Sequence, residues 1–216
     1  MQRYWHILWA ACGILAITLI FVLVSIFQGD KITYTDVAVE TKTTPTVTDA
    51  DPVKGDVTNP LVTVVEYCQF SSLGCKTIAS ELNEVLKSFP EGVQIVWKDF
   101  PNTSLAPESA PAAVAARCAQ DQGKFWEYHD ALFSHQTSLS SDTYPSLAKE
   151  LGLKEKAFSK CLENQLGVPL IQIDTQEAIT LQIAATPTLY INNARIGGTI
   201  KTADLISKVQ QALTVK

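Results

Sequence analysis

Five cysteines give this chain its widest chemical reach: Cys12, Cys68, Cys75, Cys118 and Cys161. A thiol can act as a nucleophile, close a disulfide or pack as a small hydrophobe, and its ionisation and surroundings decide which. Cys75 falls in the first turn of a stretch with helical apolar spacing, Ile78, Leu82, Val85, Leu86 and Phe89, opened by Ser72. A helix N-terminus favours the thiolate through its dipole and its free amides. Ser72 suits the N-cap, where its hydroxyl accepts an amide hydrogen bond. As a nucleophile it would need a base, and none is placed beside it. Glu66 precedes Cys68 by two residues on an apolar strand, so the two side chains share a face. Cys118 and Cys161 sit on two amphipathic stretches far apart in the sequence. In an exported domain a bridge between them is favoured, and closing so long a loop is worth about 3–4 kcal/mol. Two buried free thiols are the alternative, and the four cysteines beyond Cys12 allow several pairings. His129 and His135 stand outside any cluster of cysteines or carboxylates, so no metal site is read and no cofactor is expected.

The compartment decides how these thiols behave, and the N-terminus bears on it. Residues 7–27 carry no charged side chain and, as a helix, would span about 30 Å, the thickness of a hydrocarbon core. Tyr4, Trp5 and Trp9 lie at its start, Arg3 precedes it and Asp30 follows, which favours a cytoplasmic residues 1–6 and an outward C-terminus. The exit Val24-Ser25-Ile26-Phe27-Gln28 offers no good site for signal cleavage, so an uncleaved signal-anchor is expected, giving a single-pass protein of the cell membrane. Cys12 reads as a thiol within that helix. Residues 28–50, rich in Thr, Asp and Val, read as an extended linker. The folded domain is placed at residues 51–216. The net charge of -5 gives no basic footprint for nucleic acid, and 46% hydrophobic with 18% charged residues is a globular composition.

The elements that must position the thiols read in order. Leu61 to Tyr67 is β-branched and aromatic, a buried strand after the turn-rich run Asp51 to Pro60. A helix follows from Ser72 to Phe89, then a strand from Val93 to Phe100, which makes a parallel crossover unit. Helical stretches are expected over 107–120, 124–134, 141–151, 154–165 and 168–183. Phe125, Trp126, Tyr128 and Phe133 are spaced as core residues of that block. Strand character returns at Thr188 to Ile191, Asn192-Asn193 turns a hairpin into Ala194-Arg195-Ile196, and a last helix starts at Thr202.

This order, with its motifs, resembles the DsbA-like thiol–disulfide oxidoreductase family. The resemblance is carried by Val64-Val65-Glu66-Tyr67-Cys68-Gln69-Phe70, by Gly123-Lys124-Phe125-Trp126-Glu127-Tyr128-His129-Asp130-Ala131-Leu132-Phe133, and by Thr186-Pro187-Thr188-Leu189. It implies an α/β thioredoxin-like fold with an α-helical insertion at about 103–183, preceded here by one transmembrane helix. It also implies a cis peptide bond before Pro187, leaving the backbone of Thr186 to pair with an extended substrate. Glu66 takes the place of a buried acid that assists proton transfer at Cys75; the plainer reading pairs it with a lysine such as Lys98. The family's Cys-x-x-Cys aligns with Ser72-Leu73-Gly74-Cys75, so the attacking position holds a serine, which forms no disulfide. A displaced pair, Cys68 with Cys75, would restore a redox couple; otherwise Cys68 is a small buried hydrophobe. The resemblance implies exported protein or peptide thiols and disulfides as partners, with a membrane redox partner as a further candidate. Two other readings stand beside it: a redox-inactive peptide-binding or chaperone module, and, ranked last, a one-cysteine thiol peroxidase.

Overall fold

The computed structural model describes residues 42–214. Val53–Gly55 forms β1 and Val62–Cys68 forms β2. Helix α1 spans Leu73–Ser88 and β3 spans Val93–Asp99. Five helices then follow before the chain returns to the sheet: α2 (Ser109–Gln120), α3 (Phe125–Ser134), α4 (Thr143–Glu150), α5 (Glu155–Glu163) and α6 (Val168–Thr180). A single 3-10 turn, Gln136–Ser138, links α3 to α4. Strands β4 (Thr188–Ile191) and β5 (Ala194–Gly197) and helix α7 (Thr202–Thr214) close the fold.

The sheet order is β1-β3-β2-β4-β5, with β2 and β3 parallel and the other pairs antiparallel. This is the thioredoxin-like α/β arrangement with a helical block between β3 and β4. Strand β2 is buried on both faces, which explains its near-continuous apolar sequence. One face carries Val62, Val64 and Ile95 against Ile78 and Leu82 of α1 and Leu205 of α7. The other carries Val65, Tyr67 and Val96 against Ala178 of α6. The helical block has its own core, in which Phe70 and Trp97 meet Tyr128 and Phe133.

Among the described residues no helix is long and apolar enough to cross a membrane. The segment read as an anchor, residues 7–27, lies outside them, as do residues 1–6 and most of the linker. The linker's last part, residues 42–50, forms no helix or strand, yet it is held to the domain. The backbone N–H of Thr46 donates to Glu177 Oε1 at 2.8 Å, and Lys42 pairs with the same carboxylate.

The sequence reading of Asp51 to Asp56 as a turn needs correcting, because β1 lies within it. Its three residues pair with β3, Lys54 opposite Ile95, and the Trp97 N–H donates to the Pro52 carbonyl at 3.0 Å. So short an edge strand, ending on a glycine at φ 95°, carries no periodicity to read.

Candidate functional site

The site starts where β2 runs out. The last residue of β2, Cys68, is joined by a disulfide to Cys75 in the first turn of α1, with Cα atoms 5.7 Å apart. That separation lies within the span a disulfide allows. Both cysteines are fully buried. The loop between them is tightly held. Ser72 caps α1, its hydroxyl accepting the Cys75 N–H at 3.2 Å, and the Gln69 N–H points to Cys75 Sγ at 3.4 Å. From the helical block, Gln136 Nε2 donates to the carbonyls of Phe70 and Ser72, at 2.7 and 2.9 Å.

Pro187 approaches the first turn of α1. The Thr186–Pro187 peptide bond is cis. A Cβ added to Gly74 would lie 2.8 Å from Pro187 Cδ, so the close approach requires glycine there. Gln69 ties the pieces together. Its amide donates to Thr186 Oγ1 at 3.1 Å, and its carbonyl accepts from the Asn102 N–H at 2.8 Å and from the Ser109 hydroxyl. Beside it opens a cleft of about 530 Å³, lined by Gln69, Ser71, Ser72, Asn102, Leu105 and Thr186 among others. Leu73 and Leu105 are strongly exposed, at 72% and 82%.

On the sheet face that carries Cys68 lies a buried polar cluster. Glu66 is fully buried, and among the described residues neither carboxylate oxygen has a hydrogen-bond partner. Burial pushes its pKa up to about 7, opposed by the charge of Lys54 and reinforced by that of Asp130. Lys54 reaches it because Lys54 pairs with Ile95, on the sheet face that also carries Trp97 and Glu66. The Lys54 ammonium donates to Asn83 Oδ1 at 2.8 Å and lies 4.2 Å above the Trp126 ring. Its own pKa is lowered by burial. His129 is fully buried, 2.8 Å from Asp130 Oδ1 through Nδ1.

The expected pairing of Glu66 with Lys98 does not occur. Glu66 stands opposite Trp97 and Tyr67 opposite Lys98, so Lys98 projects from the other face of the sheet. There it pairs with Asp51 at 2.7 Å, Asp174 at 3.2 Å and Glu177 at 3.6 Å. Arg117, also buried, joins Asp99 at 2.6 Å and Asp174 at 2.5 Å.

The thioredoxin family model matches residues 48–211. The chain belongs to the thioredoxin family. Among solved structures it is similar to a thioredoxin-like oxidoreductase from Silicibacter pomeroyi DSS-3, at 25% identity and a TM-score of 0.68, covering 78% of this chain and 95% of that one. It shares its fold with the thiol-disulfide exchange protein alpha-DsbA2 from Wolbachia pipientis, at 22% identity and a TM-score of 0.67, covering 74% and 86%. It is also 34% identical over 168 residues to a protein named Na(+)/H(+) antiporter NhaA 1 from Salinispora arenicola, covering 78% of this chain and 26% of that protein. The chain thus spans about a quarter of the length of the curated relatives it matches.

For this thioredoxin-family chain the structure brings Glu66, Cys68, Ser72, Cys75, Thr186 and Pro187 to one end of β2. Cys118 and Cys161 lie apart from it, joined by a disulfide between α2 and α5 with Cα atoms 5.7 Å apart. Sequence reasoning missed Lys54, Gln69, His129, Asp130 and Gln136. The signal for His129 was available, since an aspartate follows it directly; Gln136 gave none, because its partners are backbone carbonyls far along the chain.

Proposed function

We propose that this chain is a membrane-anchored, extracytoplasmic thiol–disulfide oxidoreductase of DsbA-like type, in which Cys68 and Cys75 replace the usual surface pair. The observation that carries this reading is the disulfide linking β2 to the first turn of α1, two residues beyond a buried acid. A couple there keeps the helix N-terminus that favours a thiolate and the acid that can take a proton. Residues 7–27 serve as the signal-anchor, residues 28–50 as the linker and residues 51–216 as the working domain. Extended segments of exported proteins, carrying thiols or disulfides, lie along the cleft beside Thr186 and Pro187, with the free backbone of Thr186 available for pairing. Leu73 and Leu105 supply apolar contacts at the rim.

Exchange needs a thiolate to reach a sulfur in line with the bond, and both sulfurs are buried. The Gln69–Ser72 loop therefore has to open before reaction, which makes turnover slow. That burial favours a second reading, a peptide-binding module whose disulfide is structural. The two separate in one assay. Full-length protein in detergent is tested for insulin reduction by dithiothreitol, beside Cys68→Ser and Cys75→Ser. Turnover lost in both variants supports the oxidoreductase. Insulin binding without turnover in the unaltered protein supports the module.

A further inference from the structure

The polar cluster on the Cys68 face of the sheet holds a histidine and a tryptophan besides Glu66. His129 Nε2, Trp126 Nε1 and both oxygens of Glu66 are buried without a partner among the described residues. Buried polar atoms are costly when unpaired, so several together mark a site with a task or an internal hydrated path. They surround common neighbours. Trp97 stands beside Glu66 in the sheet, and its ring centre lies 5.0 Å from that of His129. Trp126 also lies 5.0 Å from His129, with Lys54 above it. The Phe70 ring, between the two cysteines in sequence, is 5.6 Å from His129.

The orientation of His129 follows from its partner. Asp130 is held ionised by its hydrogen bond with His129, and a carboxylate only accepts, so Nδ1 donates to it. Nε2 then carries the lone pair and faces the interior. The Asp130 side chain is 60% exposed. One imidazole thus joins the buried cluster to a surface carboxylate.

We propose that His129, positioned by Asp130, carries protons between solvent and the Cys68–Cys75 pair during thiol–disulfide exchange. This rests on the oxidoreductase reading. With a disulfide as oxidant, one cysteine thiolate attacks it, forming a mixed disulfide and releasing one thiolate. The second cysteine then attacks the mixed disulfide, closing the Cys68–Cys75 bond and releasing the other thiolate. The pair loses two electrons and two protons; the oxidant gains the electrons, and its two thiolates take up the protons from solvent. His129 accepts a cysteine proton from the interior at Nε2 and gives up the Nδ1 proton to Asp130, which passes it outward. The charged groups acting on His129 are Asp130 on its own helix, Lys54 from β1 and Asp99 from β3; Glu66 from β2 shares Lys54 and Asp130 with it. Burial lowers its pKa, and Asp130 opposes that shift.

The test follows Cys68–Cys75 bond formation in reduced full-length protein mixed with oxidised glutathione. Alkylation and peptide mass mapping separate this pair from the other cysteines, and the rate is taken across pH. His129→Gln is expected to slow closure about tenfold and to remove one inflection from the profile. Asp130→Asn is expected to move that inflection to lower pH, since it removes the group that raises the His129 pKa. Glu66→Gln is expected to remove a different inflection, near pH 7. Should His129→Gln lose its near-ultraviolet circular dichroism, the surface variant Asp130→Asn decides alone. Profiles of His129→Gln and Asp130→Asn that superimpose on the parent would overturn the proton route and leave the oxidoreductase reading standing. A pair that never closes or opens in the folded parent would remove both.

Discussion

Glu66 is the residue on which burial and chemistry conflict most directly. A carboxylate enclosed without a partner resists ionisation, and its pKa stands at about 7 rather than 4.5. Between those values the unfolded chain releases a proton that the folded chain keeps. Stability therefore falls as pH rises from 4.5 to about 7 and then levels off. Replacing Glu66 with Gln removes that loss. Denaturant unfolding at pH 8 is expected to show Glu66→Gln more stable than the parent by about 3 kcal/mol, with little difference at pH 4. Equal stabilities at pH 8 would mean that Glu66 is solvated. The shared placement of Glu66 and Cys68 was legible in the sequence, because alternation along one strand puts them on one face. The lysine whose charge acts on Glu66 was not, because Lys98 and Lys54 are told apart only by the register of three strands.

At the scale of elements, the end of β2 and the start of α1 were readable from apolar spacing and from the Ser72 cap, since both signals are local. The contact that controls the loop between them is not local. Gln136 reaches the Phe70 and Ser72 carbonyls from the turn after α3. Opening the loop requires both bonds to break. Gln136→Ala is expected to speed reduction of the Cys68–Cys75 bond by dithiothreitol several-fold while lowering stability by about 1–2 kcal/mol. An unchanged rate, followed by thiol alkylation, would show that the loop opens elsewhere. Strand β1 shows the opposite limit. Three residues, of which the one apolar side chain is only partly buried and the last is a glycine, give no pattern, and only pairing with β3 defines them.

For the whole domain, the helical block is held to the sheet by charge as well as by apolar packing. Asp51, Lys98, Asp99, Arg117, Asp174 and Glu177 link the lead-in to β1, strand β3, α2 and α6. Removing one side of such a buried network is more damaging than removing both, so Arg117→Ala is expected to cost about 3–5 kcal/mol in chemical unfolding. The block has a second constraint in the Cys118–Cys161 bond, which spans 43 residues. Replacing both cysteines with serine is expected to lower stability by about 4 kcal/mol, with exchange at Cys68–Cys75 retained. The central question is whether the inner pair is a redox couple. A glutathione redox titration of the folded full-length protein, read by alkylation and peptide mass mapping, addresses it most directly. Expected is a reversible two-electron transition of Cys68 and Cys75, with Cys118 and Cys161 still joined. A Cys68–Cys75 bond that stays closed until the domain unfolds would contradict it.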